Sequence, residues 1–234
     1  MDNQKDFTGQ VVLITGGSRG IGYATAEAFL RQGAQVATCA MDENRLVTAL
    51  AQLAKLGEVA GWRVDISDFD AVDELVRLTL ERFGRIDVLV NNAARIAVGK
   101  FAEQKWVVID EIIDVNIKGT LYVTHTVLPH MLKRGAGCVI NISSSLGTFG
   151  MSGVAAYCAS KFALVGFTEA LAQEVKWAGV RVYGMTLSMS ATDMQVQFSG
   201  YRDGMPPEIV AEQVLLLAGP NPPIETGTCL KTYL

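Results

Sequence analysis

The chain has 234 residues, half of them hydrophobic and 19% charged, with a formal net charge of −4. That length and apolar content fit one large α/β domain with a well-buried core and exclude global disorder. Charges of both signs are scattered, so the sequence offers neither a basic nucleic-acid surface nor a polybasic membrane-binding run, and no apolar stretch approaches the roughly 18 residues of a membrane helix.

Short β-rich runs alternate with longer helical stretches. QVVLIT (10–15) reads as a buried strand, followed by a glycine-rich turn and a helix to about Arg31 that stops at Gly33. QVATC (35–39) is a second strand, and ENRLVTALAQLAKLG a helix ending at Gly57. VAGWRVD (59–65) is a third strand, and DFDAVDELVRLTLERFG a helix ending at Gly84. IDVLVNNA is a fourth strand running into a loop, before a long helix over about 103–127 that ends ahead of Pro129. CVINISSS (138–145) is a fifth strand, and the helix carrying Tyr157 runs to about Trp177. GVRVYGMTL is a sixth strand, the segment from about Thr192 to Met205 is the least regular, PPEIVAEQVLLLAG is a helix with proline at its start, and TCLKTYL closes as a seventh strand. This order predicts a single-domain, Rossmann-type doubly wound parallel sheet of about seven strands spanning 1–234, with helices on both faces. Such sheets place ligands outside the carboxyl ends of the strands, at the switch point.

The start, MDNQKDF, is polar and acidic and reads as no signal peptide. Cys39, Cys138, Cys158 and Cys229 are far apart with no CxxC, and the histidines are His125 and His130 alone, so no metal is expected. Reduced, mostly buried thiols in a cytoplasmic protein are the plain reading.

TGGSRGIG (15–22) joins the first strand to the first helix, with Gly16, Gly20 and Gly22 spaced GxxxGxG. Its glycines permit a tight turn and close backbone approach, and the helix N-terminus offers N–H groups to a pyrophosphate. An ordinary glycine-rich turn would look the same in isolation; its place in the first βα unit points to a nucleotide. The second strand ends CAMDE, with Ala40 and Met41 where an acid would hold the ribose 2′-OH of NAD, while Asp42 reads as the N-cap of the next helix. Arg19, inside the glycine turn, would meet a 2′-phosphate.

Tyr157 and Lys161 lie four apart, on one face of a helix, in the apolar setting GVAAYCASKFALVGF. A cation ~4 Å from the phenol at an effective dielectric of ~20 favours the phenolate by roughly 4 kcal/mol, on the order of three pKa units as a ceiling. Such a tyrosine can trade protons with an alcohol or carbonyl near neutrality, although a tyrosine packed beside a surface lysine gives the same spacing. The fifth strand brings a serine cluster to the same edge, where a hydroxyl can bind a substrate oxygen, and Asn116 sits in mid-helix, where asparagine is mildly unfavourable.

Together these motifs resemble the short-chain dehydrogenase/reductase family, in its form of about 250 residues, over nearly the whole chain and with 3-oxoacyl thioester reductases as the nearest type. TGGSRGIG is similar to that family's cofactor turn, with Gly16, Ser18, Arg19, Gly20, Ile21 and Gly22 carried over. VDISD is similar to the segment whose Asp65 and Ile66 meet the adenine, and NNAA, with Asn92 and Ala93, stands where NNAG is usual. The resemblance implies Asn116, Ser144, Tyr157 and Lys161 as the catalytic set, Ser144 being chosen over Ser143 and Ser145 for lying 13 residues before Tyr157. By that resemblance Tyr157 exchanges the proton, Ser144 polarises the substrate oxygen, Lys161 holds the ribose hydroxyls and lowers the phenol's pKa, and Asn116 positions a water. Ala40, Met41 and Arg19 imply NADP(H), with NAD(H) as the alternative. Thr192 stands where the family touches the nicotinamide carboxamide. Leu187 and Ser188 replace the family's usual Pro-Gly pair, and CLKTYL replaces its VDGG ending.

Ile96, Phe149, Met151, Met189, Met194 and Phe198 are the candidate substrate residues, in a substrate loop of about 188–206 and nearby segments, and imply an apolar substrate portion. The expected partner is a small carbonyl or alcohol, with no nucleic acid or membrane, in a homodimer or homotetramer. The expected function is NADPH-dependent carbonyl reduction, on a 3-oxoacyl or polyketide-type substrate. The competing readings are an NAD-dependent alcohol dehydrogenase working oxidatively and a dinucleotide-binding regulator without turnover.

Overall fold

Valine-, isoleucine- and leucine-rich runs pair into one seven-stranded parallel sheet in the order β3-β2-β1-β4-β5-β6-β7. The computed structural model describes residues 7–232. β1 (Val11–Thr15) is buried along its whole length, and its side chains alternate between two cores. Val12 and Ile14 join Phe29 and Val214 on one face, while Leu13 joins Leu75, Val127 and Val182 on the other. Each such aliphatic side chain taken from water stabilises the fold by about 1.5–3 kcal/mol.

α1 (Gly20–Arg31) follows the glycine turn and packs with α8 (Pro207–Ala218) on the first face. β2 (Gln35–Ala40) leads to α2 (Glu43–Leu53), whose N-cap is Asp42, accepting from the Arg45 N–H at 3.0 Å. α2 stops at Leu53, short of the expected Gly57, in a turn before β3 (Val59–Arg63). α3 (Phe69–Phe83) is capped by Asp68 and closed by Gly84 at φ 79°. β4 (Val88–Asn91) and β5 (Gly137–Ile142) are adjacent, and β1 and β4 flank the point where strand order reverses. β6 (Val180–Leu187) and β7 (Cys229–Thr232) complete the sheet. The last two residues of the expected seventh strand lie outside the described residues.

Two departures bear on the site. The helix expected over 103–127 starts later and runs on: α4 (Trp106–Ile113), a π-helical segment (Asp114–Gly119) and α5 (Thr120–Arg134) are continuous. Pro129 does not end it, because Pro129 and His125, whose carbonyl the proline cannot serve, both face solvent. The segment from Thr192 to Met205, expected to be irregular, contains α7 (Asp193–Ser199). Thr192 caps it by accepting from the Gln195 N–H, and Gly200 ends it at φ 82°. The remaining long helix, α6 (Ala155–Val175), carries Tyr157 and Lys161.

Candidate active site

A cleft of about 780 Å³ opens at the carboxyl ends of the central strands. At its floor the glycine turn bends sharply, with Gly16 at φ 74° and its absent side chain leaving room for Ala93 and Asn92 at 3.0 Å. Gly22 faces away from the cleft: a Cβ there would meet the Gly16 carbonyl oxygen at 2.3 Å and the Asn92 amide at 2.5 Å, so glycine lets α1 start against the turn. Asn92 ties the two loops together, donating from Nδ2 to the Thr15 and Gly16 carbonyls at 2.9 and 3.2 Å. Thr15 accepts from the Asn92 and Ala93 N–H groups. No side chain caps α1 and its first turn holds no acid, so its leading N–H groups are open to an anion. Gly16, Ser18, Arg19, Gly20 and Ile21 all line the cleft.

The β2 side of the cleft is lined by Ala40, Met41, Asp65 and Ile66. Asp65 accepts from the Ser67 N–H and hydroxyl at 2.9 and 2.7 Å. Asp42 is committed to the start of α2, as the sequence implies. Arg19 donates to Asp193 at 2.6 Å. Arg45 and Asp193, which also line this side, went unnoticed in the sequence; the available signal was a second arginine in the first turn after β2, close to the expected phosphate position.

On the other side β5 ends in Ser143, Ser144 and Ser145. Ser143 is buried and donates to the Lys161 carbonyl at 3.0 Å, which fixes it as a brace between β5 and α6. Ser144 lies beside Tyr157, close enough to lower the phenol's pKa, and its oxygen accepts from the Leu146 N–H. Lys161 is buried and donates from Nζ to the Ile142 carbonyl at 2.8 Å, with Nζ 5.6 Å from the Tyr157 ring centroid.

These surroundings reverse the expected electrostatics. Burial pushes the Tyr157 phenol up to about 12, partly offset by the Ser144 hydroxyl and reinforced by Cys158. Burial also brings the Lys161 ammonium down to about 8. Spacing alone predicts a permanently charged Lys161 that lowers the phenol's pKa. In the structure burial dominates both shifts, and the lysine is the group that loses its proton first.

Asn116 lies behind the cleft wall, fully buried in the π-helical segment. Its Oδ1 accepts from the Arg95 N–H at 2.7 Å, and its Nδ2 donates to the Arg95 carbonyl and the Ser160 hydroxyl, both at 2.9 Å. Its side chain therefore splints the loop after β4 to α6. The π-turn explains why asparagine sits in mid-helix. Beyond Tyr157 the wall is apolar: Ile96, Phe149, Met151, Met189, Met194 and Phe198 all line the cleft. Ile96, Tyr157, Leu146, Met194 and Phe198 pack as one cluster. Thr192 lies against the glycine turn, its Cγ2 3.3 Å from where a Gly20 side chain would begin, and Leu187 and Ser188 line the same end.

The model of the short chain dehydrogenase family matches residues 10–201. A 3-oxoacyl-(acyl-carrier-protein) reductase of Thermotoga maritima is 33% identical over 235 residues, covering 94% of each chain. A 3-oxoacyl-(acyl-carrier-protein) reductase of Synechocystis sp. is 37% identical over 80% of this chain and 77% of its own. Among solved structures, levodione reductase superposes with a TM-score of 0.90 at 27% identity, covering 96% of each chain. The 3-ketoacyl-(acyl-carrier-protein) reductase of Brucella melitensis, solved with NADH, reaches 0.91 at 27% identity over 96% of this chain and 97% of its own. No helix among the described residues is long and apolar enough to cross a membrane. With its parallel sheet and with the Ser144, Tyr157 and Lys161 side chains gathered at one cleft, the chain belongs to the short-chain dehydrogenase/reductase family and is an oxidoreductase of CH–OH and C=O groups.

Proposed function

We propose that the protein is an NADPH-dependent carbonyl reductase whose substrate carries an apolar portion, of the 3-oxoacyl or polyketide ketone type. The observation that carries this reading is the Ser144–Tyr157 pair: two hydroxyl side chains lining one cleft at the junction of the glycine turn and an apolar wall. The open N–H groups of α1 and the side-chain-free turn at Gly16 suit a pyrophosphate, and the cleft volume suits a dinucleotide. A nicotinamide cofactor bound there supplies the hydride.

The chain's own residues do the rest. Ser144 donates to the carbonyl oxygen and holds it against Tyr157. Tyr157, protonated well above neutral pH in the free protein, is a proton donor to the oxygen as it gains negative charge. Burial of Lys161 beside that ring places a proton source next to the tyrosine, and its Ile142 hydrogen bond fixes the Nζ position. Asn116 is a positioning residue, holding Arg95 and α6 in register. The apolar wall from Ile96 to Phe198 takes the acyl portion and excludes water. Ala40 and Met41 after β2, with Arg19 and Arg45 nearby, favour a 2′-phosphate over a bare ribose hydroxyl.

The test is a panel of ketones and alcohols assayed with NADPH and NADH. The expected result is reduction of 3-oxoacyl-type ketones with kcat/KM favouring NADPH, and a loss of ~10²–10⁴-fold in Tyr157→Phe with NADPH binding retained. A clear NADH preference, or undiminished turnover in Tyr157→Phe, would contradict the reading.

A further inference from the structure

On the β2 side of the cleft one carboxylate gathers three guanidiniums from separate segments. Asp193, the first residue of α7, accepts from Arg19 of the glycine turn at 2.6 Å on Oδ2. The same oxygen lies 3.6 Å from Arg45 NH1, in the first turn of α2. Arg202, beyond α7, holds Oδ1. Because Arg19 and Arg45 converge on one oxygen, a single anion can bridge both. The Arg19 hydrogen bond, followed by that of Arg202, holds the Asp193 carboxyl below its usual range, so it is ionised at neutral pH. Arg63 adds another guanidinium to this side through its Nε bond to the Met41 carbonyl. Against these four arginines stand Asp193, Asp42 and Asp65, with Asp42 already engaged by the Arg45 N–H and Nε, so this side of the cleft stays net cationic and suits an anion.

We propose that Arg45 joins Arg19 as the seat of the NADP(H) 2′-phosphate, that Asp193 is the internal counterion holding that seat, and that the phosphate takes both arginines from Asp193 and so releases the first turn of α7. This rests on the NADPH reading above and adds two specificity-determining residues to it. The exchange runs in this direction because the pairs are exposed: Arg19 and Asp193 keep 56% and 39% of their side-chain surface. Exposed carboxylate–arginine pairs contribute little, whereas a dianion with three acceptor oxygens engages two guanidiniums at once. α7 also carries Met194 and Phe198, which pack with Ile96 and Leu146 in the apolar wall. Occupancy of the phosphate seat is thereby transmitted to the substrate side of the cleft. A dinucleotide lacking the 2′-phosphate leaves the Asp193 contacts in place.

The experiment titrates the purified full chain with 2′,5′-ADP and, separately, 5′-AMP by calorimetry, in wild type, Arg45→Met and Asp193→Asn. Amide exchange over 193–203 is followed in each state. The expected result is 2′,5′-ADP affinity weakened ~10-fold by Arg45→Met and strengthened several-fold by Asp193→Asn, with 5′-AMP affinity unchanged in both as the control for folding. Faster amide exchange in α7 with 2′,5′-ADP but not with 5′-AMP completes it. Unchanged 2′,5′-ADP affinity in Arg45→Met, or weaker binding in Asp193→Asn, would overturn the proposal while leaving the NADPH reading standing. Equal wild-type affinity for the two nucleotides would overturn both.

Discussion

Lys161 and Tyr157 titrate in an order that can be measured without any ligand. Burial brings the lysine down to about 8 and pushes the phenol up to about 12. With Nζ 5.6 Å from the ring centroid, a charged ammonium would favour the phenolate by about 3 kcal/mol at an effective dielectric of ~20, on the order of two pKa units. That assistance is missing where the phenol ionises, since by then only about one molecule in ~10⁴ keeps the lysine proton. The perturbation is Lys161→Met, and the assay is NMR of ¹³C-labelled lysine and tyrosine between about pH 6 and about 10. Wild type is expected to show a lysine midpoint near 8 that Lys161→Met removes. No tyrosine signal that Tyr157→Phe removes should titrate in that range, in wild type or in Lys161→Met. A Tyr157 midpoint between about 7 and 9 in wild type, moving up in Lys161→Met, would refute the ordering and restore the permanent-cation picture.

The same depression of Lys161 has a stability consequence: between its folded and unfolded pKa values the unfolded chain binds the extra proton, so stability rises with pH from about 8 to about 10.4. Urea unfolding should show wild type gaining up to about 3 kcal/mol relative to Lys161→Met across that window, and a gain of zero would contradict it. Gly22→Ala drives a methyl to within 2.3 Å of the Gly16 carbonyl oxygen, and about 1–3 kcal/mol of destabilisation together with weaker NADPH binding is expected by urea unfolding and nucleotide fluorescence. Asn116→Ala leaves the Arg95 N–H and carbonyl without their partner, which should cost about 1–3 kcal/mol in unfolding and raise amide exchange at Arg95. Pro129→Ala restores a donor to the His125 carbonyl on an exposed helix face, so a gain of about 1–2 kcal/mol by thermal unfolding is expected, while unchanged stability would show that water already serves that carbonyl.

Most of the sheet was legible because its strands are buried on both faces and read as continuous apolar runs, as in VVLI of β1 and VLVN of β4. The capping residue Asp42 marked the start of α2, and Gly84 the end of α3. The cofactor-side and catalytic positions, from Gly16 to Thr192, came from the resemblance of the motifs to the family's own. Four features were not legible, each for a physical reason. Pro129 reads as a helix stop unless its exposure is known. α7 is only seven residues long, and its Thr192 and Gly200 caps are visible only in hindsight of a helix between them. The π-turn at Asn116 has no sequence period of its own. The tyrosine's proton affinity depends on burial of both partners, which spacing alone cannot supply: four residues put Lys161 on the right face but say nothing of the Ile142 carbonyl that receives its Nζ.

Two of the places where the chain departs from its family, Leu187-Ser188 and the CLKTYL ending, form one structural unit. Leu187 stands where proline is usual and is 5% exposed, packed with Met185 and Met205 in the core, so it carries β6 to its last residue without a corner. It pairs in register with Thr232 of β7, in the ending that replaces VDGG. The Ser188 N–H then donates to the Thr232 carbonyl at 3.3 Å, tying the start of the loop to the end of β7. The following loop is held from its other side, where the Met205 N–H donates to the Met189 carbonyl and the Ala191 N–H to the Met205 carbonyl, both at 2.9 Å. A Pro-Gly corner shapes such a loop by restricting one φ and freeing the next. Here hydrogen bonds from β7 and from the segment before α8 impose the shape instead. The loop that lines the cleft beside Thr192 is therefore set by tertiary contacts, and its geometry depends on β7 staying paired.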